Sequence, residues 1–274
     1  MDYSVLMSVY DQEQPEHLCL SIESMLMQTS APAQFVLVKD GPLNDALEKA
    51  ITNAMKGHNK LFTIVPLKEN VGLGRALDIG LQYCKYELVA RMDSDDISLP
   101  QRCEKQLALF MKDPELDILG SNINEFHDDP QKPGLSRVVP SDHDAILKAI
   151  GKRHPFNHPT VMFKKSKVLA SGGYGKMRRK QDLDLFSRML FDGCKAQNID
   201  ESLVLFRSDQ NSYLRRKSWS YIKSYIKVMG AILKRKQCSL GTYLFAVTGQ
   251  LAFYIMPLPL MKLVSDKLLR EKIQ

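Results

Sequence analysis

The chain has 274 residues, 44% hydrophobic and 25% charged, a balance that excludes a disordered or collagen-like protein. Its formal net charge of +7 is concentrated: between Asp209 and Asp266 there is no acidic residue but nine Lys or Arg, so the remainder is slightly acidic. Five scattered cysteines offer no zinc-knuckle spacing and an odd count, the pattern of reduced thiols in a cytosolic protein.

Tyr3 to Tyr10 is rich in β-formers and lacks the basic start and cleavage site of a signal peptide, so it predicts a first strand. Pro15 and the spacing of Leu18, Ile22, Met25 and Leu26 predict a helix. Phe35 to Val38 predicts a second strand, with the Gly41-Pro42 breaker leaving Asp40 at its carboxyl tip. Ala46, Leu47, Ala50, Ile51 and Ala54 mark a second helix, and Leu61 to Leu67 a third strand. Asn70-Val71-Gly72-Leu73-Gly74-Arg75 is a glycine-rich turn into a helix through Leu77 and Leu81. Such a turn lets backbone N–H groups approach a phosphate, or simply starts the helix; it matches neither a Walker loop nor G-x-G-x-x-G. The alternation predicts an α/β domain, a mainly parallel sheet with helices on both faces.

A fourth strand, Glu87 to Ala90, delivers Asp93, Asp95 and Asp96 within four residues. Carboxylates this close raise one another's pKa unless a cation lies among them. A hard divalent ion, Mg²⁺ or Mn²⁺, takes oxygen ligands and leaves positions open for substrate phosphates. The carboxyl end of a strand is where α/β folds bind ligands; an acidic turn capping the next helix is the alternative.

Further on, Asp117 to Ser121 predicts a strand, His127 to Gly134 a loop, and Asp142 to Lys152 a helix. Prolines keep His154 and His158 off a common helix face, so the expectation is a loop lining the site rather than zinc. Thr160 to Lys164 resumes a strand, and Gly172-Gly173-Tyr174-Gly175 suits close approach to a ligand. Lys176 to Lys180 holds four basic residues, either a solvated loop or a site for phosphate or an acidic acceptor. Asp182 opens the next helix, as a cap or as a carboxylate aimed into the cleft, and Val204 to Arg207 predicts an edge strand.

Beyond this the composition changes. Ser218 to Lys236 predicts a basic amphipathic helix with Ile222, Tyr225, Ile226, Met229, Ile232 and Leu233 on one face. Leu240 to Val264 carries one charge, Lys262, but Gly249, Pro257 and Pro259 argue against a straight span. A helical hairpin lying in a membrane interface is expected, with a membrane span or a soluble amphipathic bundle as the alternatives. The division is thus residues 1–215 as a catalytic domain and 216–274 as a helical extension, whose removal before Ser218 is expected to leave a soluble domain.

From Tyr3 to about Arg207 the chain resembles family 2 glycosyltransferases, the inverting sugar transferases of the GT-A fold. Ser-Val-Leu-Met-Ser-Val-Tyr-Asp at the start looks like the family's nucleotide-binding first strand, with Ser8 and Tyr10 at its end. Lys39-Asp40-Gly41 falls where the family has Asp-Asp-Gly; Asn70, Gly72 and Arg75 match its Gly-rich turn; Asp93-Ser94-Asp95 matches its metal motif. Asn157-His158-Pro159-Thr160 and Gly172-Gly173-Tyr174 resemble the branch that builds bacterial surface polysaccharides, and Gln181-Asp182 sits where the family carries Glu and its catalytic base. Lys39 and Gln181 depart from the pattern, so base recognition rests on Asp40 and proton abstraction on Asp182. The missing Gln-x-x-Arg-Trp motif argues for one sugar per encounter.

The resemblance implies transfer from a nucleoside diphosphate sugar, a UDP-hexose, to a polyprenyl-diphosphate-linked glycan of O-antigen, capsule or exopolysaccharide. Asp95 would hold the metal, Asp93 would help hold the nucleotide, and Asp182 would be the base. The enzyme would be cytoplasmic, peripheral to the inner face of the cell membrane, with an anionic membrane surface as partner and no nucleic acid. Two other readings compete. A nucleotidyltransferase needs a Gly-rich signature after strand one, which Ser8 to Glu13 lacks. A nucleic-acid binder needs aromatics interleaved with the bases, whereas Trp219, Tyr221 and Tyr225 recur at helical period.

Overall fold

A computed structural model describes residues 1–175, 177–208, 217–261, 264 and 270–272. The chain alternates at first: β1 (Tyr3–Val9), α1 (Pro15–Leu26), β2 (Gln34–Lys39), α2 (Asp45–Ala54), β3 (Phe62–Pro66), α3 (Leu73–Tyr83) and β4 (Leu88–Met92). Then follow β5 (Ile97–Ser98), α4 (Arg102–Lys112), β6 (Leu116–Phe126), β7 (Leu135–Arg137), α5 (His143–Ala149), β8 (Met162–Lys164), α6 (Lys165–Ala170), α7 (Gln181–Phe191) and β9 (Lys195–Arg207). Two further helices, α8 (Trp219–Lys234) and α9 (Leu240–Ile255), precede a short β10 (Glu271–Lys272).

The strands form one sheet in the order β10-β7-β6-β8-β4-β1-β2-β3, with β9 on β6 and β5 on β9. The first four strands are parallel, as the alternation predicts. Past β4 the sheet is mixed: β8 runs antiparallel to β4 and β6, while β9 runs parallel to β6. Period-2 alternation splits β1 between two cores. Tyr3, Val5, Met7 and Val9 pack with α1, α2 and α4, whereas Leu6 packs with α3 and α7. Helices cover both faces, and β1, β2 and β4 all end at one rim.

Two expectations change. β9 is a 13-residue strand paired on both sides by β5 and β6, so Val204 to Arg207 is internal rather than an edge. The predicted helix at 218–236 forms as α8, capped by Ser218, but its apolar face does not await a membrane. Ile222, Val228, Met229 and Ile232 are buried in the same cluster as Leu185, Phe186 and Met189 of α7. Polar contacts reinforce this packing: Arg235 Nη2 donates to Ser187 Oγ at 2.5 Å and Gln237 Nε2 to the Ser187 carbonyl at 2.8 Å. α9 ends before Pro257, and among the described residues no helix is long and apolar enough to cross a membrane. The boundary near residue 215 lies outside the described residues.

Candidate active site

The rim where the parallel strands end carries the residues singled out above. Ser8 is buried near the tip of β1, and Tyr10 is exposed just beyond it. Asp40, at the tip of β2, is buried and organises the glycine-rich turn. Its Oδ1 accepts Val71 N–H at 2.7 Å, its Oδ2 accepts Gly72 N–H at 3.0 Å, and Asn70 Nδ2 reaches its carbonyl at 3.3 Å. Each carboxylate oxygen keeps a second lone pair for a ligand. The turn needs glycine twice: Gly72 has φ +87°, and at Gly41 (φ +97°) a Cβ would lie 2.9 Å from Asn70 N. Lys39, the departure from Asp-Asp-Gly, is paired with Glu48 at 2.6 Å. Arg75 points outward and pairs with Asp78 at 3.0 Å.

β4 delivers the acidic cluster. Oxygens of Asp93, Asp95 and Asp96 lie within 4.8 Å of one another. Behind them Arg91, fully buried, grips Asp93 with both amino groups, one contact at 2.7 Å. A second buried guanidinium, Arg102, donates to the Arg91 carbonyl at 2.7 Å. The loop after β1 adds Glu13, whose Oε2 accepts Ser94 Oγ at 2.5 Å. Burial, then Asp93 and Glu13, push the Asp95 carboxyl up to about 7. Asp96 is raised by burial and by Asp95 and Asp93. Its Oδ1 accepts Arg207 N–H at 2.8 Å, and its Oδ2 is buried without a partner. Clustered hard oxygens, raised carboxyls and an orphaned oxygen fit a divalent cation.

Asp182 stands at the N-terminus of α7, beside the turn. A Cβ on Gly74 would lie 2.8 Å from Gln181 Cγ, so the glycine lets α3 close onto α7. Asp182 Oδ1 accepts Leu183 N–H at 2.9 Å, and Oδ2 lies 3.1 Å from His154 Nε2. His154 Nδ1 accepts Phe156 N–H at 3.2 Å, and its buried Nε2 lies close to the carboxylate without an aligned hydrogen bond. Burial raises the Asp182 carboxyl, but the opposing pull of His154, His158 and Lys180 holds it well below the usual range. It is therefore ionised and able to take a proton. Next to it, burial keeps His158 neutral, with Nε2 2.9 Å from Tyr174 Oη. The Tyr174 N–H donates to Asp78 at 3.2 Å, tying this loop to α3.

The structure thus gathers Asp40, Asn70, Gly72, Asp93, Asp95 and Asp182 around one rim, with Ser8 and Tyr10 at the tip of β1 and Arg75 turned outward. Sequence reasoning missed Glu13, Arg91 and the His154–Asp182 contact. An arginine inside an apolar strand was the available signal for Arg91. For Glu13 and His154 the partners are remote in sequence and gave no local signal.

The family model described as Glycosyl transferase family 2 matches residues 4–185. The amylovoran biosynthesis glycosyltransferase AmsE of Erwinia amylovora is 36% identical over 268 residues, covering 97% of this chain and 98% of that protein. The Escherichia coli UDP-Gal:alpha-D-GlcNAc-diphosphoundecaprenol beta-1,3-galactosyltransferase is 33% identical over 270 residues, covering 98% and 97%. Among solved structures, the mannosyltransferase PcManGT from Pyrobaculum calidifontis, in complex with GDP-Man and Mn²⁺, shares the fold. Its TM-score is 0.66 at 14% identity, covering 97% of this chain and 79% of that one.

Proposed function

As the chain belongs to glycosyl transferase family 2 and is a glycosyltransferase, we propose that it moves a hexose, with inversion, from UDP-hexose to a polyprenyl-diphosphate-linked glycan of a cell-surface polysaccharide. The observation that carries this reading is the position of an ionised, half-buried Asp182 beside the glycine-rich turn, on the same rim as the carboxylate cluster. Asp182 takes the proton of the attacking hydroxyl, while the donor's glycosidic bond breaks and the nucleoside diphosphate leaves. The donor is held by Ser8, Tyr10, Asp40, Asn70, Gly72 and Asp93, whereas the expected Arg75 is turned outward onto Asp78 and drops out of the donor site. Mg²⁺ or Mn²⁺ held by Asp95, when bound, supplies a Lewis acid that neutralises the leaving diphosphate. Arg91 fixes the Asp93 carboxylate, so nucleotide binding meets an already oriented group.

Calorimetry tests the metal role. UDP binds with Mn²⁺ or Mg²⁺ present and at least tenfold more weakly in EDTA. Undiminished affinity in EDTA removes Asp95 from the donor site.

The proposed extension, residues 216–274 following a catalytic unit of 1–215, keeps the enzyme at the cytoplasmic face of an anionic membrane. Because α8 packs against α7, this role passes to α9. No charge occurs between Lys236 and Lys262, yet Phe245 is 79% and Ile255 81% exposed. Trp219 and Tyr254 lie together at 6.1 Å beside Lys223, the mixture of aromatic and basic groups suited to a headgroup layer. The protein is expected to sediment with anionic vesicles at low salt, with Phe245→Glu/Ile255→Glu staying in the supernatant. Equal sedimentation of both overturns the α9 assignment.

A further inference from the structure

Helices ordinarily start on a residue with extended backbone whose side-chain oxygen accepts an N–H of the first turn. The start of α7, just before Asp182, is different. Its leading residue is Lys180, whose side chain has donors only and makes no capping hydrogen bond. The backbone there is left-handed, at φ 60° and ψ 23°, a conformation that any side chain makes costly. The same stretch turns left-handed at Gly172, Gly173 and Gly175, each time with a glycine. Among the described residues Lys236 is the one other non-glycine residue with positive φ. It follows the last turn of α8, where left-handed caps are ordinary. At a helix start the turn gains nothing local from a lysine, so the distant contacts of the side chain decide it.

Those contacts are with α8. The Lys180 ammonium stands 4.6 Å from the ring centre of Tyr221 and 5.4 Å from that of Tyr225, both within the range of attraction between a cation and an aromatic face. The tyrosines are four residues apart and share one face of the helix, two rings for one cation. The Lys180 carbonyl, aimed by the same turn, accepts Asp184 N–H at 3.0 Å and so begins α7. On its other side the loop lies against the glycine-rich turn: a Cβ on Gly74 would lie 3.4 Å from the Met177 carbonyl oxygen. The far end of α8 reaches the partner of the base. Cys238, just past the helix, presses on Gly151, where a Cβ would lie 2.5 Å from Cys238 Cβ; His154 follows three residues later.

We infer that Tyr221 and Tyr225 are positioning residues for the reaction: by seating Lys180 they hold its left-handed turn, and the turn aims Asp182 at the attacking hydroxyl. This rests on Asp182 being the base, as proposed above. The charge of Lys180 is a lesser contribution, since His154 and His158 act more strongly on the carboxyl. What the clamp governs is geometry, and a base misplaced by about 1 Å costs about a hundredfold in rate. The helical extension thus takes part in the reaction apart from any membrane.

The test reads UDP release from the fastest of a panel of UDP-hexoses, with Mn²⁺ and with water as acceptor, beside UDP affinity by calorimetry. Tyr221→Leu/Tyr225→Leu keeps apolar bulk on α8 and removes the rings. It is expected to lower kcat at least tenfold with UDP affinity within twofold of the wild type, because Asp40 holds the donor turn independently. Lys180→Gln also loses at least tenfold, and combining it with the tyrosine pair adds less than threefold, since both break one contact. Adding Lys180→Gly to the tyrosine pair restores at least threefold, because glycine takes the left-handed turn unaided. Amide exchange needs no substrate: the Asp184 N–H exchanges at least tenfold faster in the tyrosine variant, and unchanged exchange overturns the clamp. So do losses that multiply between Lys180→Gln and the tyrosine pair, or a glycine that restores nothing. A fall in UDP affinity matching the fall in kcat overturns it too, because the tyrosines would then act on the donor turn. Lys180→Gln lies in a loop and leaves the core intact should the tyrosine variant misfold, and full turnover in it alone overturns the clamp. Asp182→Asn is run beside them. Near-normal release there overturns the base, whereas loss there with full turnover in the tyrosine variant overturns the clamp alone.

Discussion

Asp182→Asn lowers transfer by about a hundredfold or more while leaving donor affinity near its wild-type value, the loss expected when a general base becomes a neutral amide. The amide preserves the Leu183 N–H contact and the volume at the start of α7, so the variant folds. Near-normal turnover would remove Asp182 from the mechanism and turn attention to Asp184, which instead contacts Arg188 at 3.2 Å. His154→Gln separates the role of the pair from that of the carboxylate. With the imidazole gone, burial pushes the Asp182 carboxyl up, opposed only by the weaker pulls of His158 and Lys180. The acid limb of kcat therefore moves to higher pH. The wild type keeps its activity to lower pH because its carboxylate stays ionised there. An acid limb that does not move means His154 serves packing alone.

A chain ended at Lys217 does not yield a soluble catalytic unit. It loses the cover of α7, where Ile222, Val228, Met229 and Ile232 are all buried. Each such side chain contributes about 1.5–3 kcal/mol, and together they approach the 5–15 kcal/mol margin of a whole domain. Expression of the truncated chain is expected to give aggregates. In the full chain, Ile232→Ala is expected to cost about 2–5 kcal/mol in urea unfolding. A soluble truncation melting at the wild-type temperature would show that α8 is dispensable to the core.

This outcome also marks the limit of what the pattern of residues conveys. Helical spacing of Ile222, Met229 and Ile232 says that one face is apolar; it does not say whether lipid or protein covers it. The parallel half of the sheet was legible because each strand is a short apolar run ending in Asp or Gly, and local chemistry decides that. The acidic cluster was legible because three carboxylates side by side need a reason. β9 was not, because Asp200 and Glu201 interrupt its apolar run. The structure accommodates them as extra residues where the register with β6 slips from Ile199 opposite Ser121 to Ser202 opposite Asn122. Glu13 against Ser94 and His154 against Asp182 were invisible for another reason. Each pair is joined by the fold across many residues, and neither member differs locally from an ordinary surface group.

The tie between Asp96 and Arg207 spans 111 residues. Ile97 and Leu205 close the same long loop as a strand pair. Contacts so distant along the chain are formed late in folding, after local helices and neighbouring strands. During synthesis the Asp93–Asp96 segment leaves the ribosome long before the strand that holds it in shape. A nascent chain halted short of Arg207 carries every acidic residue of the cluster yet lacks the backbone N–H that anchors Asp96. A divalent cation at this cluster would thus meet an anchored Asp96 only once β9 has paired.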